Sequence, residues 1–315
     1  MSHNVSKCNT IAITGATGTI GISLIKQAIE QRKNVIALVN KGSVNISRIP
    51  KSDLVRVIEC SLSDYKDLSC DGLSADVFIH LAWASTNRMV RNNLMPQVDN
   101  IKYSLDSVDL AERLGCHTYV GAGSQAEYGR KDVALTEGLI PNPESAYGMA
   151  KLCAGQMTRL SCKNKGIRHI WPRILSTYGA YTQDTTIINY TLNCLLNGKK
   201  PSLTKCEQIW DFIHVDDAAR ALLMLAEKGK DGEIYCIGSG TSRMMKDYIL
   251  EISNLIDSSI PIGFGDISYN DNTVMHLVGD ISKLKQEIGF EPCISFSEGI
   301  KKTIEWAKEY YKVKE

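Results

Sequence analysis

Three glycines at three-residue intervals, Gly15, Gly18 and Gly21, follow directly on the run Thr10-Ile-Ala-Ile-Thr14. A short β-branched run of that kind reads as a strand buried inside a parallel sheet. Beyond the turn, Ile20, Leu24, Ile25, Ala28 and Ile29 recur at helical spacing. Strand, glycine turn and amphipathic helix in that order open a βαβ unit whose helix N-terminus faces a phosphate. Gly15 permits the tight turn, Gly18 lets backbone approach a pyrophosphate, and Gly21 lets helix pack closely on strand. The segment commits the chain to a doubly wound parallel α/β sheet that binds a dinucleotide.

The rest of the chain supplies the strands such a sheet needs. Val35–Val39 reads as the second, Leu54–Glu59 as the third and Asp76-Val-Phe-Ile-His-Leu-Ala-Trp83 as the fourth with its exit. His117–Gly121 is the fifth, His169–Arg173 the sixth, and Glu233–Ile237 returns to the sheet later. Helices are expected over 97–114, 144–164, 186–196, 218–227, 245–256, 281–288 and 296–311. Asp216 or Asp217 is expected to cap the helix that starts at Ala218. At 315 residues the chain can bury a large core in one large or two closely joined domains.

A net charge of +1, without runs of like charge, gives no footing for a nucleic acid or a membrane surface. No stretch approaches the ~20 apolar residues of a membrane span. The N-terminus is polar and has no apolar signal region. Ten cysteines lack Cys-x-x-Cys spacing and six histidines lack a His-x-x-x-His pair, so neither a metal site nor a disulfide framework is expected. These features lead us to expect a cytoplasmic protein with reduced thiols.

The chemistry centres on Ser145-Ala-Tyr147-Gly-Met-Ala-Lys151. Residues four apart on a helix share a face. An ammonium beside a phenol favours the phenolate and lowers a pKa that starts near 10. Such a tyrosine is a general acid/base usable near neutral pH.

Taken together, Thr-Gly-Ala-Thr-Gly-x-x-Gly, the His80-Leu81-Ala82 exit, Ser124, Tyr147-x-x-x-Lys151, Pro172-Arg173 through Tyr178-Gly179, and Asp211-Phe-Ile-His-Val-Asp-Asp217 resemble the extended short-chain dehydrogenase/reductase superfamily. Its members act largely on nucleotide-activated sugars as epimerases, dehydratases and reductases. The resemblance covers nearly the whole chain. It implies a Rossmann domain from residues 1–178 and 208–238, with a smaller C-terminal substrate lobe from 179–207 and 239–315. Cofactor contacts are implied at Gly15, Thr17, Gly18, Thr19 and Ile20 for the phosphates, and at Asn40, Lys41 and Arg48 for the adenosine ribose. Leu62 would flank the adenine, and Leu81, Ala82 and Trp83 would lie along the dinucleotide. Tyr147 and Lys151 would meet the nicotinamide ribose, with Pro172 and Ile174 near the carboxamide. Ser124 would hold the sugar C4 oxygen while Tyr147 moves its proton and Lys151 lowers the tyrosine pKa. Asn100 matches an asparagine that positions the catalytic helix.

The departures are informative. No carboxylate follows the second strand, where an NAD enzyme grips the ribose; Asn40, Lys41 and Arg48 favour NADP over NAD. Ser61 stands where an aspartate usually meets the adenine. Dehydratases follow the serine position with Asp-Glu, but this chain has Gln125 and Ala126, which argues against a 4,6-dehydratase; Glu127 is displaced by one residue. Trp83 replaces a small residue and borders the substrate cavity, while His80 reads as a packed strand residue. Arg88 and Arg91 are candidates for a pyrophosphate, and Gln125 and Asn189 for the substrate. Trp210 stands where arginine is usual, and 261–279 contains neither Arg nor Lys. The activity expected is therefore a C4 epimerase, or an NADPH-dependent 4-ketoreductase of a 4-keto-6-deoxy sugar. A non-catalytic cofactor sensor fits poorly, because Tyr147 and Lys151 are both present. By analogy the helices 97–114 and 144–164 would join a homodimer.

Overall fold

The computed structural model describes residues 8–87 and 89–312. Its first half runs β1 (Thr10–Thr14), α1 (Thr19–Glu30), β2 (Asn34–Val39), β3 (Val55–Glu59), β4 (Val77–His80), α2 (Leu94–Arg113), β5 (Thr118–Gly121), β6 (Gly123–Ser124), α3 (Ala146–Lys165) and β7 (Arg168–Ile174). These strands and Glu233–Ile237 form one eight-stranded sheet, ordered from that last strand through β7, β5, β4, β1, β2 to β3, with β6 beside β7. The ladders are parallel throughout. β1 sits between β2 and β4, so the order reverses there, and the crevice of a doubly wound sheet opens at the carboxyl ends of those strands.

Period-2 alternation distributes the sheet's side chains between two cores. Ile11, Ile13, Val35, Ala37 and Ile79 point into a layer with Ile22, Leu24 and Ile25 of α1 and Leu222 and Leu225 of α5 (Val215–Lys228). Ala12, Ile36, Leu38, Phe78 and Tyr119 face the other way, onto Val108 and Ala111 of α2 and Cys162 of α3. Fully burying one such Leu, Ile or Phe contributes about 1.5–3 kcal/mol. β3 closes one edge with exposed Arg56 and Glu59, charges that discourage pairing with another chain.

Past β8 (Ser176–Tyr178) the chain builds a third core. Ile188 and Leu192 of α4 (Ile187–Leu196) meet Ile249 and Ile252 of α6 (Met245–Ile256) and Ile300 and Ile304 of α7 (Phe296–Lys312). The carboxylate of buried Asp211 ties this part to the sheet by accepting from Ser239 N (2.9 Å), Ser239 Oγ (2.6 Å), Gly240 N (3.2 Å) and Gly279 N (3.3 Å).

Two local expectations need correction. α5 starts three residues earlier than expected and is capped by His214, whose Nδ1 accepts from Asp216 N at 3.2 Å. Asp216 and Asp217 lie inside the first turn. Asp217 instead receives Cys293 N (3.0 Å) and Ile294 N (2.9 Å), anchoring a distant segment, while Asp216 receives Ser23 Oγ at 2.6 Å. The helix expected over 281–288 is present over 282–288, but Leu284–Ile288 within it are π-helical.

Candidate active site

The glycine turn and the end of β4 are pressed together. Gly15 has φ +67°, and a Cβ there would stand 2.9 Å from Ala82 N. A Cβ on Gly21 would stand 2.3 Å from Gly15 O, so helix and turn meet without side chains between them. Gly18 caps α1 and supplies no side-chain acceptor, leaving first-turn N–H groups for an anion. Thr14 fixes the junction: its Oγ1 accepts from Leu81 N and Ala82 N at 3.1 Å each. Its one proton is thereby directed to His80 Nδ1, 2.9 Å away. Burial pushes His80 down to about 3, so the ring is neutral at ordinary pH and has a packing role, as the sequence indicated.

Across the crevice, Ser145 caps α3 by accepting from Gly148 N at 3.1 Å, which starts the helix at the catalytic turn. Lys151 is buried; its Nζ donates to Ala122 O at 2.7 Å and lies 3.6 Å from the Trp83 ring centroid. The Trp83 ring meets Tyr147 nearly edge-on, with centroids 6.1 Å apart at 81°. Ser124 sits at the end of β6, paired in register with Ile174 of β7, so Pro172, Ile174 and Ser124 share one edge of the sheet. The Ser124 hydroxyl is the polar group that counters the effect of burial on the Tyr147 phenol.

The electrostatics differ from the expectation that Lys151 lowers the tyrosine. Burial pushes Tyr147 up to about 12; the Ser124 hydroxyl pulls it back, Glu127 raises it further and Arg91 opposes that. Burial likewise pushes Lys151 down to about 7, with Glu127 pulling it up. The lysine's ammonium is spent on a carbonyl and an indole face rather than on the phenol oxygen. At neutral pH the Tyr147 phenol therefore keeps its proton in these surroundings.

Sequence reasoning missed the group beneath the serine. Glu127 is completely buried, and both its oxygens are engaged. Oε1 accepts from Ser124 N (2.8 Å) and Trp171 Nε1 (3.0 Å), and Oε2 accepts from Arg173 Nε (2.7 Å). Its partner lies 46 residues away, so no local pattern announces the pair.

At the adenosine end, Lys41 pairs with Asp64 at 2.8 Å and Arg48 lies 4.8 Å over the Tyr181 ring, so both proposed phosphate cations already have partners. Thr19 Oγ1 donates to Tyr181 O at 2.8 Å. Asn40 is exposed, and Thr17, Ile20 and Leu62 are half-buried. Asn100 holds Ala84 by both N (2.9 Å) and O (2.9 Å), so its amide clamps the β4 exit. Asn189 is buried and donates to Thr182 O at 2.7 Å, bracing a loop where a substrate contact was expected. Gln125 is half-buried, and Arg91 has a buried Nε without a hydrogen-bond partner. Arg88 lies outside the described residues. Among the described residues no cluster of metal-ligating side chains exists, and no helix is long and apolar enough to cross a membrane.

Residues 11–238 match the sequence model of the NAD dependent epimerase/dehydratase family. Among curated proteins, the chain is 24% identical to the dTDP-glucose 4,6-dehydratase of Salmonella typhimurium, over 94% of this chain and 92% of that one. Its fold superposes with TM-score 0.87 on a UDP-N-acetylglucosamine 4-epimerase from Methanobrevibacter ruminantium solved with UDP-N-acetylmuramic acid, at 22% identity and covering 96% and 99% of the two chains. The UDP-glucuronic acid 4-epimerase of Bacillus cereus, solved with UDP-glucuronic acid and NAD, gives 0.84 at 23% identity, covering 96% and 100%.

Removing Glu127 leaves the Arg173 guanidinium buried without its counter-charge. Glu127→Ala is expected to cost about 3–5 kcal/mol of stability in urea unfolding. A loss below about 1 kcal/mol would contradict this account of the pair.

Proposed function

The chain belongs to the NAD-dependent epimerase/dehydratase family, and on that premise we propose that it is a C4 epimerase of a nucleotide-activated sugar. The observation that carries the reading is the convergence of Ser124, Tyr147 and Lys151 on one side of a crevice whose other wall is the glycine turn. Residues 1–178 and 208–238 would carry the dinucleotide, and 179–207 and 239–315 the sugar nucleotide. The uncapped first turn of α1 and the cradle at Gly15 suit a pyrophosphate. When bound, the nicotinamide supplies the hydride acceptor and donor.

Tyr147 takes the proton from the C4 hydroxyl as the sugar is oxidised, and returns it when the turned keto-sugar is reduced. Ser124 holds the C4 oxygen against the phenol. Lys151 brings positive charge to the phenol oxygen once its ammonium turns from the indole face. Arg91, with its unpartnered Nε and its charge felt at Tyr147, is the candidate partner for an anionic group of the substrate.

Observations at the serine and at the adenosine end separate this reading from two rivals. Dehydration needs an acid/base pair where Gln125 and Ala126 stand, and Glu127 is locked by Arg173. The curated relative named above nevertheless carries the dehydratase name, so water loss is an outcome the assay must score. A ketoreductase would need a site for the 2′-phosphate of NADPH. Lys41 and Arg48 are both engaged, and the Bacillus cereus neighbour holds NAD. We therefore read the cofactor as NAD and set aside the preference for NADP. For assembly, α2 exposes Leu94 (70%), Met95 (67%) and Val98 (54%), and the adjoining α3 exposes Met149 (54%) and Leu160 (61%). An apolar face of that kind fits a homodimer.

The purified protein should interconvert C4 epimers within a panel of UDP- and dTDP-sugars, with no net change in reduced nicotinamide. Consumption of NADPH or appearance of a 4-keto-6-deoxy product would replace the assignment. Tyr147→Phe should lower kcat by about 10²–10⁴-fold while the protein still binds cofactor; unchanged turnover would sink the mechanism. Titration should give tighter binding of NAD than NADP, and Asp64→Asn, which frees Lys41, should improve NADP affinity about two- to five-fold. Light scattering should give twice the 34.8 kDa chain mass, falling to one chain mass in Leu160→Glu.

A further inference from the structure

The side chain at position 83 is the one that faces both members of the Tyr147–Lys151 pair. Its ring centroid stands 3.6 Å from Lys151 Nζ, and its edge meets the Tyr147 ring. The indole is held in place from behind. Nε1 donates to Gln97 Oε1 at 2.8 Å, and Gln97, itself buried, donates to Ser85 O at 3.1 Å. Asn100 grips Ala84 between them. Ser85 takes φ +57°, a left-handed conformation that a serine holds only when its surroundings enforce it. The whole β4 exit is thus built to present this ring.

Lys151 needs such a surface. Among the described residues its ammonium has a single oxygen partner, the Ala122 carbonyl. Around it stand Glu127, committed to Arg173, neutral His80 on β4, the Tyr147 phenol on its own helix, and Arg91 beside that phenol. None offers a free negative charge. An aromatic face attracts an ammonium and does nothing comparable for a neutral amine.

We propose that Trp83 is a positioning residue for Lys151, whose indole face keeps the buried ammonium protonated until it turns to the phenol oxygen. The proposal rests on the catalytic reading of Tyr147 and Lys151 given above. Its sign is fixed. Loss of the π face in equally apolar surroundings weakens the charged form, so Lys151 releases its proton at lower pH. Activity that requires the ammonium is then lost earlier as pH rises.

The test compares Trp83→Leu with Trp83→Phe, after thermal melting establishes that both fold. In the leucine variant the basic limb of the kcat–pH profile should move down by roughly one unit, while phenylalanine, which keeps a face, should hold the wild-type position. A readout independent of turnover is the rate at which an acylating reagent modifies Lys151 at pH 6, mapped by mass spectrometry. It should rise several-fold in Trp83→Leu and not in Trp83→Phe. Should Trp83→Leu fail to fold, Gln97→Leu, which frees the indole N–H, should move labelling in the same direction by a smaller factor. Equal labelling in all variants overturns the proposal, as does an equal shift in the leucine and phenylalanine variants. Normal labelling behaviour without sugar turnover would instead count against the epimerase reading alone.

Discussion

The contact on which the site depends is the one between Gly15 and Ala82. A turn carrying any side chain could not approach the β4 exit so closely, because the first atom of that chain would already collide with backbone. Thr14 makes the approach specific by accepting two consecutive N–H groups of that exit. Since β1 and β4 flank the point where strand order reverses, this junction forms the floor of the crevice. The residue that follows it, Trp83, is thereby delivered to the catalytic lysine. The phosphate-facing turn and the proton-moving helix are therefore connected through only a few residues of loop.

How much of this was legible in the sequence follows from how local each cause is. The strands of the sheet announce themselves through short continuous apolar runs, and the glycine turn through spacing that few other structures require. Tyr147 and Lys151 share a helical face for reasons contained in five residues. The features that escaped notice have partners far along the chain. Glu127 is explained only by Arg173, Lys41 only by Asp64, and Arg48 only by Tyr181. The NADP preference finds no support in the fold for that reason: a cation read from the sequence is free, whereas in the fold it already has a carboxylate or a ring. The cap of α5 was misplaced similarly, because His214 reached the free N–H before the aspartates, which serve contacts with Ser23 and with the chain near Cys293.

Charge accounting links these pieces. The buried part of the site contains two strong cations, Arg173 and Lys151, and one carboxylate, Glu127. Arg173 takes the carboxylate, in a contact that also seats Ser124 through its backbone N–H. Were Glu127 to serve Lys151 instead, Ser124 would lose its brace and Arg173 its only counter-charge. The lysine is left with a carbonyl and an aromatic face, which is why burial shifts it so far towards neutrality. A lysine close to its own titration point responds to small changes in its surroundings, whereas one near its ordinary value would not. The tyrosine is displaced in the opposite sense by the same burial. The two groups are thus both biased towards their uncharged forms. Only positive charge brought to the phenol oxygen can reverse that for Tyr147, and Lys151 supplies it to the degree that it keeps its proton.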